Sequence, residues 1–527
     1  MNTAEFLTIS AAIVPDRPAV VGPDSRVTYA DLQTHVNTLA NSLQALGVSK
    51  GQNVGVMGVN SSDYVEIYYA TAALGATLVP LNFRAKTEEL TYMVESADVS
   101  LLFIDQRYWP IYEQIKASIP GVQHVVGTDF RPEGAPSFAE LRDQGEDIPV
   151  FTEIDDSDPT LMIYTSGTTS LPKGVVLSYQ ALTALVVNTQ SPADPTSDQE
   201  VVLVSVPFYH IAGATTMMSA VFSGRRLVVL PQFSPEAWLQ TVQDEGVTHA
   251  FVVPTMLKRV MEMDDFERYN LATLRLITYG AAPMPYDVVR AAVDIFPPRG
   301  IDLLNAYGQT EATGSLTYLG PEDHRLDGTP EANELKLRRL RSVGKTMPDV
   351  DVAILAPDGR RLPDGEEGEI CIRGDRVMKG YNKRDDDTES ALRDGWLHTG
   401  DVGKVDEGGY LFITGRIKDM VIRGGENIST AEIENVLEDH PGIAEAAVIG
   451  VPDNDWGEVV KAIVVPGARE DVPSESDLTD YVKSRLASYK APALYQWVDS
   501  LPRNHLGKVL KTELRELYGQ PTEGTSV

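Results

Sequence analysis

Hydroxyl side chains, two glycines and one lysine are concentrated between Thr165 and Gly174, directly after the apolar run at residues 161–164. Hydroxyls and free backbone N–H groups donate hydrogen bonds to phosphate oxygens, glycine permits close approach of the backbone, and lysine supplies a positive charge. The apolar run has strand character, so these polar residues are expected in a loop that follows a strand. The loop is not a Walker A motif, because Pro172 stands five positions after Gly167, where that motif has its second glycine. A polar surface turn is the alternative, but the pattern favours a loop that binds phosphate.

The composition is strongly acidic, with 45 Lys and Arg against 76 Asp and Glu and a net charge of −31. A surface of this sign repels nucleic acid and anionic membranes. The single cysteine, Cys371, excludes an internal disulfide and fits a reducing compartment. The first residues lack the pattern of a signal peptide, and no apolar run approaches the ~20 residues of a membrane span. The sequence therefore predicts a cytoplasmic protein with no membrane span and no nucleic-acid partner.

Strand-like and helix-like segments alternate in two stretches of the chain. In the first stretch, the predicted strands are 52–58, 77–81 and 100–105, and the predicted helices are 63–74 and 88–96. In the second stretch, which follows the polar loop, the predicted strands are 201–206, 226–230, 249–253, 274–279 and 301–305. This alternation predicts parallel β-α-β units, and sheets of that kind bind ligands at the carboxyl ends of their strands.

The remainder of the chain changes in pattern twice. From about residue 342 to 414, short alternating strands such as 368–374 are separated by Gly and Asp turns, which predicts a small β-rich subdomain. The C-terminal part predicts a compact α/β unit, with helices at 430–439 and 477–486 and strands at 444–451 and 459–465.

Three segments of the second stretch follow predicted strands and carry residues able to do chemistry. In the segment 207–213, His210 is predicted to end a buried strand, with an aromatic residue before it. The segment 279–283 reads Tyr-Gly-Ala-Ala-Pro, and 305–311 reads Asn-Ala-Tyr-Gly-Gln-Thr-Glu. A packed histidine or a small-residue turn is the plainer interpretation of each segment alone. Their common position at strand ends favours a ligand site.

Taken in order, the polar loop and the segments 305–311, 395–401 and 415–428 resemble the motifs of the adenylate-forming superfamily. This superfamily comprises acyl-CoA synthetases, firefly-luciferase-like enzymes and peptide-synthetase adenylation domains. The resemblance extends over residues 10 to 515 and is nearest to the acyl- and aryl-CoA ligases. One departure lies in the polar loop, where Ser170 stands in place of the family's usual glycine.

The resemblance implies an α/β fold in two domains. Residues 1–417 would form an adenylation domain of two doubly wound α/β subdomains, together with the β-rich subdomain at about 342–417. Residues 418–527 would form a small mobile C-terminal domain that carries the catalytic lysine.

The resemblance also implies a site for ATP. Tyr307 would stack on adenine, Asp401 would accept both ribose hydroxyls, and Glu311 would hold Mg²⁺. The implied ATP-binding residues are Thr165, Ser166, Gly167, Thr168, Thr169, Lys173, Gly280, Ala281, Ala282, Tyr307, Gly308, Thr310, Asp401 and Arg416.

Acyl, catalytic and CoA roles follow from the same resemblance. The implied acyl pocket is His210, Ile211, Ala212, Gly213, Ala281 and Gly308. The implied catalytic residues are Lys508, His210, Thr310 and Glu311. Lys418 would be the hinge of the C-terminal domain, and Gly424, Gly425 and Glu426 would lie in the loop that meets CoA.

The implied activity is that of an ATP-dependent carboxylate–CoA ligase. A carboxylate and MgATP would give acyl-AMP and pyrophosphate, and CoA would then give acyl-CoA and AMP. The small, uncharged residues of the acyl pocket predict an apolar acid, either fatty, alicyclic or aromatic. No Asp or Glu lies between Ser205 and Ser219, which disfavours an amino acid whose ammonium needs a carboxylate partner.

Two alternatives from other classes stay open at this point. The chain could load its acyl group onto a carrier protein instead of CoA. It could also be a silent nucleotide-binding or luciferase-like homologue, although the presence of Lys508, Glu311 and Asp401 disfavours silence. The sequence is compatible with a homodimer.

Overall fold

The computed structural model of the chain describes residues 1–165, 171–467, 472–503 and 507–520. The strands, in chain order, are β1 Pro18–Val21, β2 Arg26–Thr28, β3 Asn53–Met57, β4 Thr77–Pro80, β5 Val99–Ile104, β6 His124–Gly127, β7 Pro159–Thr165, β8 Lys173–Ser178, β9 Val201–Val204, β10 Arg226–Val229, β11 His249–Val252, β12 Leu276–Gly280, β13 Asp302–Gln309, β14 Gly314–Leu319, β15 Lys345–Thr346, β16 Asp351–Leu355, β17 Gly368–Arg373, β18 Gly380–Tyr381, β19 Leu392–Arg393, β20 Trp396–Val405, β21 Leu411–Arg416, β22 Val421–Arg423, β23 Glu426–Ile428, β24 Ile443–Asp453, β25 Gly457–Pro466 and β26 Leu494–Trp497.

Helices connect most of these strands and begin where the sequence supplies caps. Thr28 and Asp31 form a reciprocal capping box at the start of the second helix, and Ser61, Ser178 and Ser429 each accept a backbone N–H at a helix start. The helices are α1 Glu5–Ile13, α2 Tyr29–Ala45, α3 Ser62–Ala73, α4 Thr87–Ser96, α5 Trp109–Ile115, α6 Phe138–Asp143, α7 Tyr179–Thr189, α8 Ile211–Phe222, α9 Pro235–Glu245, α10 Pro254–Met261, α11 Tyr286–Ile295, α12 Pro321–His324, α13 Pro330–Arg339, α14 Asp385–Ala391, α15 Thr430–Glu438, α16 Glu475–Lys483 and α17 Lys511–Tyr518.

Two large sheets form the N-terminal part of the fold. Among the described residues, one sheet has the strand order β18-β8-β7-β4-β3-β5-β6 and the other β15-β14-β13-β12-β11-β9-β10-β1-β2. The inner strands of both sheets are parallel, and antiparallel strands lie at their edges. A continuous core that contains β3, β7, β9 and β10 residues, with Tyr68 of α3 and Met217 of α8, joins the two sheets. The predicted α/β class with parallel β-α-β units is therefore confirmed.

The predicted β-rich segment forms an antiparallel sheet of β16, β17, β20 and β19, with β21 paired to β20. Two short strands from the same part of the chain join other sheets. Strand β15 extends the nine-stranded sheet, and β18 extends the seven-stranded sheet by pairing with β8. The β-rich segment is therefore built into both large sheets, and one of these additions reaches the strand that begins at Lys173.

The C-terminal part contains a fourth sheet with the order β23-β22-β25-β24, in which β26 pairs with β25. Ile433 and Leu437 of α15 pack on Val448 and Val460 of this sheet. The 3₁₀ turn Ile417–Asp419 connects it to β21. The predicted boundary between residues 417 and 418 falls in that turn and stays a prediction. In the described parts of the chain, no helix combines the length and the apolar character that crossing a membrane requires.

Candidate active site

The carboxyl ends of β9, β11, β12 and β13 lie side by side at one edge of the nine-stranded sheet, because these strands are parallel neighbours. The chain segments that follow them therefore meet at this edge, as the sequence predicts. One detail of the prediction is wrong. Strand β9 ends at Val204, and His210 is the N-cap of α8 rather than the end of a strand.

Asp401 is buried, with 4% of its surface exposed, and its two carboxylate oxygens have different partners. Arg416 Nε donates to Oδ1, and Tyr307 Oη donates to Oδ2 at 2.8 Å. Asp401 and Arg416 face each other in the register of β20 and β21. Burial and the neighbouring Asp401 raise the pKa of Tyr307, so its phenol remains a donor. Three residues that the sequence assigns to the nucleotide are thus in direct contact.

Glu369 supports the turn that precedes Asp401. Its Oε1 accepts the Gly400 N–H at 3.1 Å, and its Oε2 lies 2.7 Å from Nδ1 of His398. Together with Cys371, Glu369 and His398 form the one group of three potential metal ligands in the described residues whose ligand atoms all lie within 4.8 Å of one another. Arg393 Nη2 lies 3.0 Å from the same imidazole nitrogen, which puts a guanidinium where a metal cation would have to lie. The group therefore buttresses the Asp401 turn.

Thr165 and Lys173 are paired end residues of the antiparallel strands β7 and β8. Thr165 Oγ1 donates to the Lys173 carbonyl at 3.4 Å, so the predicted phosphate loop connects two strands that are held together at its base. The Lys173 ammonium is ion-paired with Asp387 and lies 4.9 Å from the centre of the Tyr381 ring. The remaining predicted residues of this loop, Ser166, Gly167, Thr168, Thr169 and also Ser170, lie outside the described residues.

Thr310 and Glu311 begin a 3₁₀ turn, Thr310–Ala312, directly after β13. Tyr381 Oη donates to Glu311 Oε1 at 3.0 Å, and burial together with Glu311 raises the pKa of Tyr381. A carboxylate that accepts one such bond retains lone pairs for a hard cation, so Glu311 has the chemistry that Mg²⁺ requires. With Lys173 close by, the donor set at this end of the site fits a phosphate–Mg²⁺ group.

The predicted adenine wall follows β12. A Cβ on Gly280 would lie 2.1 Å from the Ala306 carbonyl oxygen, so a side chain cannot be accommodated there. Ala281 has a φ of +67°, a left-handed conformation that costs a non-glycine residue about 1 kcal/mol. Ala282 follows it and is half-buried. Strain of this kind is concentrated at binding sites, which agrees with the predicted role of the segment.

Of the predicted acyl residues, His210 to Gly213 lie at the start of α8, Gly308 lies in β13 and Ala281 follows β12. A Cβ on Gly213 would lie 2.4 Å from the Pro207 carbonyl oxygen, and one on Gly308 would lie 1.8 Å from that of Gly314. Ile211 Cγ1 lies 3.9 Å from the Cβ position of Gly314, whereas Ala212 is half-buried on the same turn. The structure therefore brings the α8 turn next to the segment that carries Tyr307 and Glu311.

Lys508 reaches the same sheet edge from the C-terminal part. A Cβ on the preceding residue, Gly507, would lie 2.5 Å from Cγ2 of Thr255, which is in the first turn of α10. Burial, with the positive charges of Arg416 and Lys418, lowers the pKa of Lys508 to about 8 against the opposing effect of Asp401. Lys508 is thus within electrostatic range of the buried Asp401–Arg416 pair.

The predicted hinge and CoA loop lie on another part of the C-terminal sheet. Lys418 is in the 3₁₀ turn after β21, and burial and Arg416 lower its pKa. Gly424 and Gly425, with φ of +59° and +89°, form a two-residue turn between β22 and β23, and Glu426 follows it. A Cβ on Gly424 would lie 2.9 Å from the ring of Trp456, of whose surface 51% is exposed. This hairpin turn and its tryptophan face solvent.

Sequence reasoning missed four of these contacting residues: Tyr381, Asp387, Thr255 and Glu369. Asp387 is the last of three consecutive aspartates, and no pattern distinguishes it from its neighbours. Thr255 carries no motif. The stretch around Tyr381 lies just before the recognised segment 395–401, which is the one signal that could have drawn attention to it.

Known families and proteins are similar to this chain over most of its length. The model of the AMP-binding enzyme family matches residues 7–382, and that of the AMP-binding enzyme C-terminal domain matches residues 432–508. A feruloyl-CoA synthase of Amycolatopsis sp is 36% identical over 511 residues, which cover 97% of each chain. A fatty acid–[acyl-carrier-protein] ligase, ScoC, of Streptomyces coeruleorubidus is 34% identical over 507 residues, 96% of this chain and 94% of the relative.

Among solved structures, the o-succinylbenzoate CoA synthetase of Bacillus subtilis, in complex with its acyl-adenylate intermediate, superimposes with a TM-score of 0.80. It is 30% identical, and the match covers 97% of both chains. The likeness in sequence and in structure therefore extends over nearly the whole length of the chain. This chain belongs to the AMP-forming acyl-CoA ligase family of the adenylate-forming superfamily.

Proposed function

We propose that this enzyme activates an apolar carboxylic acid with MgATP and transfers the acyl group to CoA. The observation that carries the proposal is the approach of Lys508 to the Asp401–Arg416–Tyr307 group at the sheet edge. A buried diol acceptor and a lysine at one site match the needs of a reaction between two anions, a carboxylate and the α-phosphate of ATP.

In the first half-reaction, the carboxylate oxygen attacks the α-phosphorus and pyrophosphate leaves. Asp401 accepts hydrogen bonds from the ribose hydroxyls, and Tyr307 packs against the adenine. Lys508 neutralises charge where the carboxylate and the α-phosphate approach each other. Lys173 binds phosphate oxygens, and Thr310 donates a hydrogen bond beside them. Positioning and charge stabilisation thus supply the catalysis.

Glu311 is the residue that would hold Mg²⁺, which supplies charge neutralisation to the phosphates when bound. Tyr381 supports this role, since its hydroxyl fixes one carboxylate oxygen of Glu311 and leaves the other available.

The proposed acid is apolar because the first turn of α8 offers it no charged partner. Ile211, Ala212 and Gly213 follow His210 there, and α8 contains no Asp, Glu, Lys or Arg. The names of the relatives, a feruloyl-CoA synthase and a fatty acid ligase, support an apolar acid of some bulk. His210, beside the ring of Tyr209 at 4.5 Å, would contact the carboxylate end of the acid.

A small cavity supports CoA as the acceptor. It has a volume of about 130 Å³ and is lined by Arg84, Arg259, Phe83, Phe233 and Thr255, among others. Arg84 lies over the ring of Phe83 and Arg259 over that of Phe233, and the ion pairs of the described residues include neither arginine. Two guanidinium groups at one cavity of so acidic a protein favour an anionic ligand, and Thr255 lies between this cavity and Gly507.

The deciding experiment measures the two half-reactions separately. A panel of fatty, alicyclic and aromatic acids is scored by pyrophosphate release with MgATP, and the best acid is then supplied with CoA as the sole acceptor. We expect stoichiometric acyl-CoA, and Arg84→Ala with Arg259→Ala should raise the KM for CoA without slowing pyrophosphate release. Arg268→Ala, in an exposed surface pair with Asp265, is the matched control.

Acyl transfer to a phosphopantetheinylated carrier protein is the second candidate, because one relative is an acyl-carrier-protein ligase. In that case pyrophosphate is released while CoA gives no thioester and a carrier protein is acylated instead. That result would show that the carrier, and not CoA, is the acyl acceptor. If no acid of the panel releases pyrophosphate, the proposed activity is wrong.

A further inference from the structure

The ion pair between Lys173 and Asp387 has no part in the function proposed so far. Lys173 is the first residue of β8, at the exit of the phosphate loop, and Asp387 is in the first turn of α14. Asp387 Oδ1 contacts the Lys173 ammonium, and Oδ2 accepts from Arg384 Nε at 2.6 Å. Lys173 and Asp387 are only 25% and 27% exposed, so water screens the pair incompletely.

Asp387 is held firmly in relation to Lys173. Strand β18 pairs with β8, and the Asn382 N–H donates to the Gly174 carbonyl at 2.7 Å, one residue after the lysine. The Tyr381 N–H donates to Thr388 Oγ1 at 2.9 Å, which ties the start of α14 to β18. One contact is made by the backbone of the residue after Lys173 and the other by the side chain of the residue after Asp387. We therefore expect Asp387 to stay near Lys173 when the site is filled.

A fixed carboxylate on the phosphate-binding lysine has an electrostatic consequence. An ammonium that already contacts a carboxylate attracts an incoming phosphate less than an unpaired one does, and the carboxylate itself repels the phosphate. The pair does not abolish binding, since a lysine ammonium has three donors and Asp387 contacts it through one oxygen.

We propose that Asp387 is a positioning residue that weakens the hold of Lys173 on the phosphates, so that pyrophosphate leaves the site after adenylation. This inference rests on the proposed function, because it needs ATP as the substrate and pyrophosphate as the product. It assigns to Asp387 a role in the balance between binding ATP and releasing pyrophosphate.

The test is equilibrium binding, measured by calorimetry at fixed Mg²⁺, of pyrophosphate and of a non-hydrolysable ATP analogue. Asp387→Asn keeps the shape of the side chain and removes its charge, and we expect both ligands to bind about tenfold more tightly. Adenosine, which has no phosphate, should bind within twofold of wild type. Asp386→Asn, which removes the neighbouring exposed charge from the same helix, is the matched control and should change each affinity by less than twofold.

A second background separates action through Lys173 from a general effect of charge. In Lys173→Met, the Asp387→Asn change should raise pyrophosphate affinity by only about threefold or less, because only the direct repulsion between the carboxylate and the phosphate is left to remove. The same tenfold gain in that background, or an equal gain from Asp386→Asn, would overturn the inference. Binding by Asp387→Asn that is unchanged or weaker would also overturn it, and Asp387→Ala provides a second variant if the asparagine protein does not fold.

The outcome for the proposed function is distinguishable. If the wild-type enzyme binds pyrophosphate and the ATP analogue, and Asp387→Asn binds them no more tightly, only the role of Asp387 is contradicted. A wild-type enzyme that binds neither ligand contradicts the proposed function and this inference with it.

Discussion

Two loops of the C-terminal part differ sharply in their surroundings. Gly507, next to Lys508, is packed against Thr255, and burial together with the nearby Arg416 and Lys418 lowers the pKa of Lys508 to about 8. The Gly424–Gly425 turn lies against Trp456, of whose surface 51% is exposed, and faces solvent. The proposed function needs a lysine in the first half-reaction and a CoA-binding loop in the second. In this structure, Lys508 faces the candidate site and the Gly424–Gly425 turn does not.

We propose from this difference that the arrangement serves adenylation, and that transfer to CoA needs a rotation about the turn Ile417–Asp419. The packing permits such a rotation, because few ion pairs among the described residues link the C-terminal part to the rest of the chain. Arg341 of the large part contacts Asp439 at 3.0 Å, whereas Arg515 and Lys511 pair within the C-terminal part. Changes that affect only one loop should therefore affect only one half-reaction.

The largest effect is expected from Lys508→Ala. Loss of a charge that meets two anions should slow pyrophosphate release by about 100-fold or more, on the scale of a lost oxyanion donor. Given synthetic acyl-AMP, the same variant should form thioester at nearly the normal rate. Lys483→Ala, on the exposed face of α16, is the control. Equal slowing of both steps would contradict the assignment of the two loops to separate steps.

The pH dependence of the first step should follow the lowered pKa of Lys508. The charged ammonium is the active form, so kcat/KM for adenylation should be constant below pH 8 and fall about tenfold per unit above it. Lys508→Arg stays charged throughout this range, and its residual activity should lack the decrease. The measurement is pyrophosphate release between pH 6.5 and about 9.5. A profile that is flat to pH 9.5 would show that this ionisation does not control the step.

Gly424→Ala should have the reverse selectivity. The new Cβ would lie 2.9 Å from the Trp456 ring, at a backbone φ of +59°. We expect thioester formation from synthetic acyl-AMP to slow by about tenfold, because the turn must close on a narrow ligand, with pyrophosphate release within twofold of wild type. Gly409→Ala, at a φ of +78° with no atom near its Cβ, controls for backbone strain alone. A loss confined to adenylation would exclude the turn from the second step.

Arg341→Ala should give the smallest effect. Its guanidinium contacts both carboxylate oxygens of Asp439 at 3.0 and 3.2 Å and lies 4.0 Å from the centre of the Tyr286 ring. Since the pair is partly exposed, its loss should cost about 1 kcal/mol or less and slow adenylation up to about fivefold. Thioester formation from acyl-AMP should be unchanged or faster. Arg338→Ala is the control, because Arg338 pairs with Glu334 on its own helix. An equal loss of activity in that variant would show that Arg341 does not act as a contact between the two parts.

The sequence by itself determined the local elements and most of the candidate residues. Short apolar runs predicted the inner strands to within a few residues, because a strand of a parallel sheet is buried on both faces. The motifs predicted Tyr307, Asp401, Arg416 and Lys508. The structure brings the first three into contact with one another and places Lys508 within electrostatic range of them. A motif succeeds in this way when neighbouring residues on one chain segment carry the chemistry.

Only the tertiary structure decided which distant segments meet. Asp387 pairs with Lys173 across 214 residues, and Thr255 meets Gly507, without any pattern that links them. The sequence also could not place β18 on the seven-stranded sheet or direct Lys508, rather than Gly424, toward the site. The physical reason is that local propensity acts over a few residues, whereas strand order and domain orientation depend on the packing of surfaces that are far apart in the chain.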